Sequence, residues 1–598
     1  MLRRPFAILF LGLVSGAAFA QQAADAVEPE TATKPAIAQT ADMSPAIAAA
    51  QAAKSAGEPV EAKNWMVAAA NPLAVEAGAQ VLQNGGSAAD AMIAVQAVLG
   101  LVEPQSSGLG GGAFLIWYDA ETGELTTLDG RETAPLAATP RLFQDETGTP
   151  LKFFDAVVGG RSVGTPGTPA LLQAAHDRWG KSDWAKLFDP AIRLAEEGFA
   201  VSPRLAELVA EDADRLGRFR PTANYFLPNG TPLTEGQIRR NRPYAKTLRT
   251  LAEGGADAFY TGPLARSIVR RVNRAEGNPG VLSELDLAIY QVREREPVCV
   301  TYRAHNVCGM GPPSSGALTV GQILGMLEPY DLAALGHESA EAWRLIGDAS
   351  RLAFADRGRF MADEDFVPMP TRGLVDPDYL EGRSGLLSGD TALETVEPGA
   401  PEFDHAMLWA DDQSIEFPST SHISIVDGAG NVLSMTTTIE NGFGSRLMVG
   451  GFLLNNELTD FSFASHEDGV PIANRVEPGK RPRSSMAPTI VMKDGKPVLA
   501  IGSPGGSRII GYVAQSVIGW LDWGMNVQQA VSAGHAVNRF GQFDLEEGTA
   551  AADMAAPLEQ MGYEVSVRNL NSGLHAIEIG ASLFGGADPR REGIALGD

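Results

Sequence analysis

The chain contains little of what marks several common classes of protein. Only two of its 598 residues are cysteine and eight are histidine, and the histidines show none of the spacings that bind zinc. No Gly-x-Ser-x-Gly motif is present. The glycine-rich stretches lack the strand–glycine–helix order of a dinucleotide site and the Gly-Lys-Ser/Thr ending of a P-loop. We therefore expect no metal site and no cofactor.

Basic residues are also scarce. Lysine and arginine total 47 against 73 aspartate and glutamate residues, so the formal net charge is −26. Such an acidic surface argues against nucleic acid and anionic membranes as partners. No apolar run after residue 20 is long enough to span a bilayer, so we expect no membrane anchor.

The first twenty residues have the three parts of a secretory signal. Arg3 and Arg4 precede an apolar run at 6–14, and Ala18-Phe19-Ala20 matches a cleavage site. Residues 1–20 are therefore predicted to be a signal peptide that directs export to a bacterial periplasm. Residues 21–58 are rich in alanine, threonine, glutamine and proline, and we predict a disordered leader there.

The two cysteines flank a predicted β-hairpin. Residues 298–302 and 305–308 lie on either side of a two-residue loop, and counting outward places Cys299 opposite Cys308. In an oxidising compartment these thiols can form a cross-strand disulfide. Two buried free thiols are the alternative, and the sequence leaves both open.

A second hairpin is predicted in the C-terminal half of the chain. Apolar and polar residues alternate at 423–427 and again at 432–438, on either side of a Gly/Asn turn. The preceding stretch, at about 384–419, is acidic and contains no lysine or arginine. This composition is typical of a solvated linker that can be cut.

The linker stops at Thr420, which begins the predicted core strand, and this suggests internal cleavage between Ser419 and Thr420. The new α-amino group would have a pKa of about 7.7–8.0, so it could serve as general base for the hydroxyl of its own residue. An ordinary loop followed by a strand is the plainer interpretation. His422, two residues along that strand, is expected to be structural.

Two further features carry alternative interpretations. Gly505 and Gly506 precede a helix predicted at 508–520, and their successive amides could form an oxyanion hole or only a strand-to-helix turn. Arg131 follows a strand predicted at 124–128, where it could form a surface ion pair or bind a substrate carboxylate bidentately.

The remaining elements follow from periodicity and capping residues. We predict helices at 71–83, 88–102, 318–327 and 527–538, and strands at 113–118, 489–492, 497–501, 564–567 and 575–579.

Several motifs in this order resemble the γ-glutamyltransferase family of N-terminal nucleophile hydrolases. They are Asp129-Gly130-Arg131-Glu132, Pro312-Pro313-Ser314-Ser315-Gly316, Thr420-Ser421-His422, Leu454-Asn455-Asn456-Glu457-Leu458-Thr459-Asp460, Ser484-Ser485-Met486-Ala487-Pro488-Thr489 and Gly502-Ser503-Pro504-Gly505-Gly506-Ser507. The resemblance implies an α+β fold, a four-layer αββα sandwich. It also implies self-cleavage into a large subunit, 59–419, and a small subunit, 420–598.

The resemblance also implies roles for individual residues. Thr420 would be the nucleophile, Thr438 would orient it, and Gly505 and Gly506 would hold the oxyanion. The donor's α-carboxylate would bind to Arg131, Ser484 and Ser485, and its α-ammonium to Glu440, Glu457 and Asp460. The implied reaction cleaves the γ-glutamyl amide of glutathione and related compounds, and passes the γ-glutamyl group to water, an amino acid or a peptide.

Two departures from the family pattern qualify this expectation. Glu440 stands where family members commonly have asparagine, and the loop between Asp460 and Ser484 is short for a lid. Two alternatives therefore stay open: a glutaryl-type cephalosporin acylase of the same fold, and an unprocessed periplasmic binding protein.

Overall fold

Two antiparallel seven-stranded sheets form the centre of the computed structural model, which describes residues 44–405, 408–412, 414 and 416–598. In spatial order, sheet I consists of Ile594–Gly597, Met66–Ala69, Ser421–Val426, Val432–Thr438, Gly112–Tyr118, Leu125–Gly130 and Arg293–Arg295. Sheet II consists of Val60–Ala62, Leu583–Ala587, His575–Ile579, Lys496–Gly502, Thr489–Lys493, His305–Gly309 and Val298–Tyr302.

The two sheets pack face to face, with helices on both outer faces. Apolar side chains such as Met66, Ile116 and Ile577 fill the layer between the sheets. The helices that share a core with sheet I are Pro72–Gln83, Ala88–Val102, Thr168–Trp179, Asp189–Glu197, Pro203–Glu211, Arg242–Gly254 and Gly262–Asn273. Those that share a core with sheet II are Gly316–Leu327, Ala340–Phe360 and Ile509–Leu521. The predicted αββα sandwich is confirmed.

The predicted hairpin that follows Thr420 lies at the middle of sheet I. Its strands Ser421–Val426 and Val432–Thr438 pair antiparallel, and every residue in them is buried. The apolar positions pack under the helices, whereas Ser424 and Ser434 donate hydrogen bonds to carbonyl oxygens of sheet II, at 3.2 and 3.1 Å. The alternation in sequence therefore separates two buried faces, because a central strand of a sandwich has no solvent side.

The cysteine hairpin also has its predicted register. Cys299 lies opposite Cys308, and the structure joins them in a disulfide. The two loop residues, Arg303 and Ala304, have φ angles of 49° and 57°. Positive φ at both central positions is what a two-residue type I′ turn requires.

One predicted helix is wrong in its second half. The helix that begins at Val527 ends at Ser532, and Ala536–Asn538 is a strand that pairs with Gln542–Glu546. Gly534, which is a poor helix former, interrupts the pattern, and its carbonyl accepts a hydrogen bond from Gln515. The strands predicted near 564–567 and 575–579 are confirmed.

The predicted disordered leader is wrong for its last part. Pro45–Ser55 is a helix capped by Ser44, with Ile47 buried. Lys54 Nζ donates to the carbonyls of Arg591 and Gly593, at 2.6 and 2.7 Å. The alanine content that suggested disorder also gives high helix propensity once a face can dock. The predicted signal peptide and residues 21–43 lie outside the described residues.

In the part of the chain that the structure describes, no helix has both the length and the apolar character needed to cross a membrane.

Candidate active site

The predicted nucleophile and its predicted partner lie side by side. Thr420 immediately precedes the strand Ser421–Val426, and Ser421 pairs with Thr437 across the hairpin, which brings Thr420 to Thr438. The Thr420 hydroxyl donates to Thr438 Oγ1 at 3.1 Å, and the N–H of Glu440 donates to the same oxygen at 2.8 Å. Thr438 therefore has one fixed donor and holds the Thr420 hydroxyl in place.

The peptide group between Ser419 and Thr420 is held in place by hydrogen bonds. The Ser419 carbonyl oxygen accepts the N–H of Gly505 at 3.2 Å, and Arg591 donates to the Thr420 carbonyl at 3.0 Å. Thr420 has a φ of 104°. A β-branched residue rarely adopts such a conformation, which costs about 1–3 kcal/mol. The Ser419–Thr420 peptide thus combines a strained backbone with an N–H donor on its carbonyl oxygen.

The glycine turn must consist of glycine for two reasons. Gly505 and Gly506 have φ angles of 138° and 59°, which side chains disfavour. A Cβ on Gly506 would lie 2.7 Å from the Phe417 carbonyl oxygen. The turn therefore brings backbone amides against the residues that precede Thr420, as the oxyanion interpretation requires.

Arg131 lies at the centre of a buried cluster of acids. Its guanidinium donates to Glu457 and Asp460, and also to the carbonyls of Pro482 and Arg483, at 3.1 and 2.8 Å. These contacts use four of its five N–H groups. The predicted bidentate grip on a substrate carboxylate is therefore not available to Arg131 in the uncleaved chain, because acids of the same site already occupy it.

The acid cluster contains more carboxyl groups than Arg131 can neutralise. Burial raises the pKa of Glu440 and of Asp460 well above the usual range, and neighbouring carboxylates add to both shifts. Burial raises the pKa of Glu457 as well. Glu440 Oε1 and Asp460 Oδ1 are buried without a hydrogen-bond partner. Two acceptors without donors, in a field of negative charge, form a place for a cation that donates hydrogen bonds.

A second charged group in the pocket was not predicted. Glu416, four residues before Thr420, is buried, and its carboxylate accepts hydrogen bonds from Arg357 and from the Ser485 hydroxyl. Arg357 also donates to Ser485 Oγ and to Ser315 Oγ, each at 2.8 Å. Although burial alone would raise the pKa of Glu416, Arg357 and Arg483 hold it below the usual range. Arg357 and Ser485 thus form a ready site for a carboxylate, and Ser315 holds the Arg357 guanidinium in position.

Nine of the ten residues predicted to act in catalysis or substrate binding line one pocket. The tenth, Gly505, is the neighbour of Gly506 in the chain. The pocket is lined by Arg131, Glu416, Phe417, Thr420, Thr438, Glu440, Glu457, Asp460, Ser484, Ser485, Met486, Gly506 and Ile509. It encloses only about 20 Å³, less than the roughly 30 Å³ of one water molecule in the liquid. The side chains of Glu416 and Phe417, which precede Thr420, are among those that enclose this small space.

The acidic linker is less solvated than its composition predicts. Asp411 pairs with Arg359, and Asp412 pairs with Arg483 at 2.8 Å. With the Glu416 pair, three linker acids lie on three arginines. Arginine residues from other segments thus bind the C-terminal end of the linker. The sequence of the linker alone does not show that these partners exist.

His422 has the structural role expected of it. Its ring nitrogens lie 2.9 Å from Thr436 Oγ1 and 3.0 Å from Ser424 Oγ. Burial lowers its pKa well below the usual range, and His575 adds to the effect. A neutral imidazole bound to two hydroxyls of the sheet interior is not placed to act on Thr420.

Comparison with known proteins agrees with this geometry. The family model described as gamma-glutamyltranspeptidase matches residues 74–598. A glutathione hydrolase proenzyme of Bacillus subtilis (strain 168) is 38% identical over 549 residues, which are 90% of this chain and 92% of the relative. An acylase ACY 1 proenzyme of Pseudomonas sp. (strain SE83) is 34% identical over 90% of this chain and 94% of its own length.

Among solved structures, a cephalosporin acylase from Bacillus halodurans superposes with a TM-score of 0.80 at 28% identity. The superposition covers 90% of this chain and 97% of that one. A fold shared over 90% of the chain, a family model that covers almost all of the described chain, and relatives above 30% identity lead to one conclusion. The chain belongs to the gamma-glutamyltranspeptidase family.

Proposed function

We propose that the protein is a γ-glutamyltransferase and glutathione hydrolase that matures by cutting itself between Ser419 and Thr420. The observation that carries this proposal is the contact set around Thr420. Its hydroxyl is bound to Thr438, and the amide of Gly505 lies on the Ser419 carbonyl oxygen.

Self-cleavage uses these contacts directly. The Thr420 hydroxyl attacks the Ser419 carbonyl carbon, the C–N bond breaks, and the acyl group passes to Oγ1 as an ester, while the hydroxyl proton moves to the departing nitrogen and leaves a free Thr420 amine. Water then hydrolyses the ester, which releases the Ser419 carboxylate and restores the Thr420 hydroxyl. The amide of Gly505 stabilises the negative oxygen in the tetrahedral state, and loss of the strain at Thr420 favours the forward direction.

Cleavage also makes the donor site available. Once residues 416–419 leave, the Ser485 hydroxyl and the Arg357 guanidinium lose the Glu416 carboxylate that now binds them. A donor α-carboxylate takes that position, next to Ser484. A buried arginine without a carboxylate partner is costly, so the vacated position favours an anion.

The α-ammonium of the donor then meets the acid cluster. An ammonium group has three N–H donors, and Glu440 Oε1 and Asp460 Oδ1 are acceptors without donors. Glu457 completes the negative field, while Arg131 holds Glu457 and Asp460 in place rather than binding the substrate carboxylate. One end of the γ-glutamyl head group is thus bound by cations and the other by anions.

Turnover repeats the chemistry of cleavage. The Thr420 hydroxyl gives its proton to its own α-amine and attacks the γ-carbonyl carbon of the donor. The oxyanion faces Gly505 and Gly506, the C–N bond breaks, and the leaving amine takes the proton. Water or an acceptor amine then attacks the γ-glutamyl ester and frees Thr420.

The test is product analysis with glutathione on the processed protein. The proposal predicts release of glutamate and cysteinylglycine, and a γ-glutamyl dipeptide adduct when a dipeptide acceptor is added. If processed protein with an intact Thr420 N-terminus turns over no γ-glutamyl amide, the proposed activity is wrong.

The second candidate is a glutaryl acylase, which the similarity to the acylase ACY 1 proenzyme supports. A glutaryl group lacks the α-ammonium, so it would leave Glu440 Oε1 and Asp460 Oδ1 without donors. Sites built to bind a polar group can reject an analogue lacking it by about 10⁴. We expect faster turnover of γ-glutamyl-p-nitroanilide than of glutaryl-p-nitroanilide. Equal rates would favour the acylase.

Arg131 limits how far this discrimination goes. Repulsion among the three acids would be strong if they had no cation, but Arg131 already forms ion pairs with Glu457 and Asp460. Discrimination then depends mainly on Glu440, whose carboxyl has no cation of its own among the described residues. The third alternative, an unprocessed binding protein, predicts one band on a denaturing gel instead of two.

The domain boundaries are part of the proposal. A signal peptide at 1–20 would direct the precursor to the periplasm, residues 59–419 would form the large subunit with its linker at 384–419, and residues 420–598 would form the small subunit. Sheet I contains strands from both subunits, and Ser421–Val426 lies beside Met66–Ala69. The two fragments should therefore stay together after cleavage.

A further inference from the structure

A cleft of about 740 Å³ lies outside the catalytic pocket and shares no residue with it. Five of the side chains that line it are arginines: Arg239, Arg240, Arg270, Arg271 and Arg274. No aspartate or glutamate is among its lining residues. The net charge of the protein is −26, yet every charged side chain that lines this cleft is positive. The excess of negative charge on the chain does not explain such a cluster.

The charge inversion extends to the surrounding segment. Residues 215–274 contain twelve arginine and lysine residues and three acidic residues. None of the five cleft arginines forms an ion pair within the described residues, whereas Arg249 of the same segment pairs with Glu196 at 2.7 Å. Folding has thus brought together cations that the chain itself does not neutralise.

Helix electrostatics explains only part of the cluster. Arg270 and Arg271 lie in the last turn of the helix Gly262–Asn273, where positive charge stabilises the helix dipole. Arg239 and Arg240 come from a different element, near the strand Ile238–Arg239. The helix dipole therefore does not explain why Arg239 and Arg240 also line the cleft.

The cleft has a polar and apolar lining as well as charge. Arg239 packs over the ring of Tyr225 at 4.5 Å and donates to the Asn224 carbonyl at 3.0 Å, which fixes its position. Arg240 donates to the Glu197 carbonyl at 2.9 Å. Met448 and Val449 contribute apolar surface. Met448 and Val449 form what we call the apolar floor of the cleft. Arginines in fixed positions beside such a floor can bind a ligand that has a carbon skeleton and several anionic groups.

We propose that this cleft binds a small organic molecule that carries two or more phosphate or carboxylate groups. Every cation in the cleft is arginine, whose planar guanidinium binds such groups through paired hydrogen bonds. The volume lies within the range of about 300–1,000 Å³ that small-molecule sites occupy. The site is independent of the Thr420 chemistry and stands or falls separately from it.

The test is calorimetric titration of the purified full-length protein at about 0.15 M salt, where the Debye length is about 8 Å, with inorganic tripolyphosphate, ATP and citrate as separate probes. Binding of one equivalent per chain is expected, stronger for ATP than for tripolyphosphate if the apolar floor takes part. The variant Arg270→Ala/Arg271→Ala/Arg274→Ala should weaken binding by about a hundredfold or more, because it removes three guanidinium groups that form charge-assisted hydrogen bonds to the ligand.

The matched control is Arg218→Ala/Arg249→Ala/Arg266→Ala. It removes the same charge from the same segment, and none of its three residues lines the cleft. It should bind the probes within about threefold of wild type, since exposed charges act only weakly at a distance. Equal weakening in both variants would mean a general charge effect and would overturn the site, as would the absence of binding to wild type. A single cooperative thermal unfolding transition shows that each variant has folded.

Discussion

Glu440 combines an unusual backbone with an unusual charge. Its φ is 73°, a conformation in which asparagine is several-fold enriched and longer side chains are not. This accounts in physical terms for the asparagine that family members commonly have there. In this chain the carboxyl group adds an acceptor for an ammonium, and it carries the cost of a buried acid.

The first prediction concerns the pH dependence of this residue. Burial raises the pKa of Glu440, so the group holds a proton at low pH and cannot attract the donor's α-ammonium. In wild type, kcat/KM should therefore fall as the pH drops through that raised pKa. Glu440→Asn should move this acid limb to lower pH, as kcat/KM for γ-glutamyl-p-nitroanilide against pH would show.

Asp460 also has a raised pKa, and protonation of the Thr420 α-amine removes the general base, so the variant should keep part of the acid limb. An unchanged profile in Glu440→Asn would mean that Glu440 does not face the ligand.

The second prediction separates the two arginines of the pocket. Arg357→Lys should raise KM for γ-glutamyl donors about tenfold or more, because a lysine point charge does not replace a guanidinium that holds Ser485 and a carboxylate together. Arg359→Lys is the matched control, since Arg359 lies on the same helix and binds only Asp411 of the linker. It should leave KM unchanged.

Arg131→Lys should behave differently from Arg357→Lys. It leaves Glu457 and Asp460 with a poorer partner, so both the melting temperature and kcat/KM should fall. If Arg131→Lys raised KM alone and Arg357→Lys had no effect, Arg131 would be the carboxylate site after all.

Elements differ in how far they could be predicted. The hairpin after Thr420 and the turn at Gly505 and Gly506 follow from local pattern, because their alternation and glycines serve backbone needs that neighbours in sequence reveal. The role of Arg357 in the site does not follow from any local pattern. It depends on how the helix Ala340–Phe360 packs against the linker, and the side chain of Glu416 gains its role only from that contact.

The same reasoning explains the errors. Alanine-rich residues at 45–55 satisfy both a disorder pattern and a helix pattern, and only docking against residues near the C-terminus decides between them. The helix prediction for 527–538 is wrong after Ser532 because Ala536–Asn538 pairs with the strand Gln542–Glu546. This pairing outweighs the apolar pattern that suggested a longer helix.

The third prediction concerns the docked helix Pro45–Ser55. Lys54→Met removes two hydrogen bonds from the lysine ammonium to backbone carbonyls, so the free energy of unfolding should fall by about 1–3 kcal/mol. Denaturant unfolding measures this. Lys63→Met, at an exposed lysine, should change it by less than about 0.5 kcal/mol. Equal stability of the two variants would show that the helix does not dock.

At the scale of the whole molecule, buried histidines link stability to pH. Burial lowers the pKa of His575 to about 3, and nearby Lys54 adds to the shift. The unfolded chain takes up a proton on this residue below about pH 6.5, while the folded protein does not until about pH 3. The free energy of unfolding should therefore fall as the pH drops through this window, by up to about 1.4 kcal/mol per pH unit.

The fourth prediction follows from that sign. His575→Gln cannot titrate, so its stability should fall less steeply between neutral and acid pH than that of wild type. Buried acids with raised pKa, such as Glu440, act in the opposite direction, but they do so equally in both proteins. The difference in slope between the two unfolding curves therefore isolates His575. Parallel slopes would contradict a neutral, buried His575.

The central claim is that Thr420 becomes the nucleophile by releasing itself from Ser419. The most direct measurement is intact-mass analysis of purified wild type and of Thr420→Ala. The account predicts that wild type yields a fragment with the mass of residues 420–598 and an N-terminal threonine, while Thr420→Ala stays one inactive chain. If Thr420→Ala yielded the same cut, or if the wild-type small fragment began at another residue, the account would be contradicted.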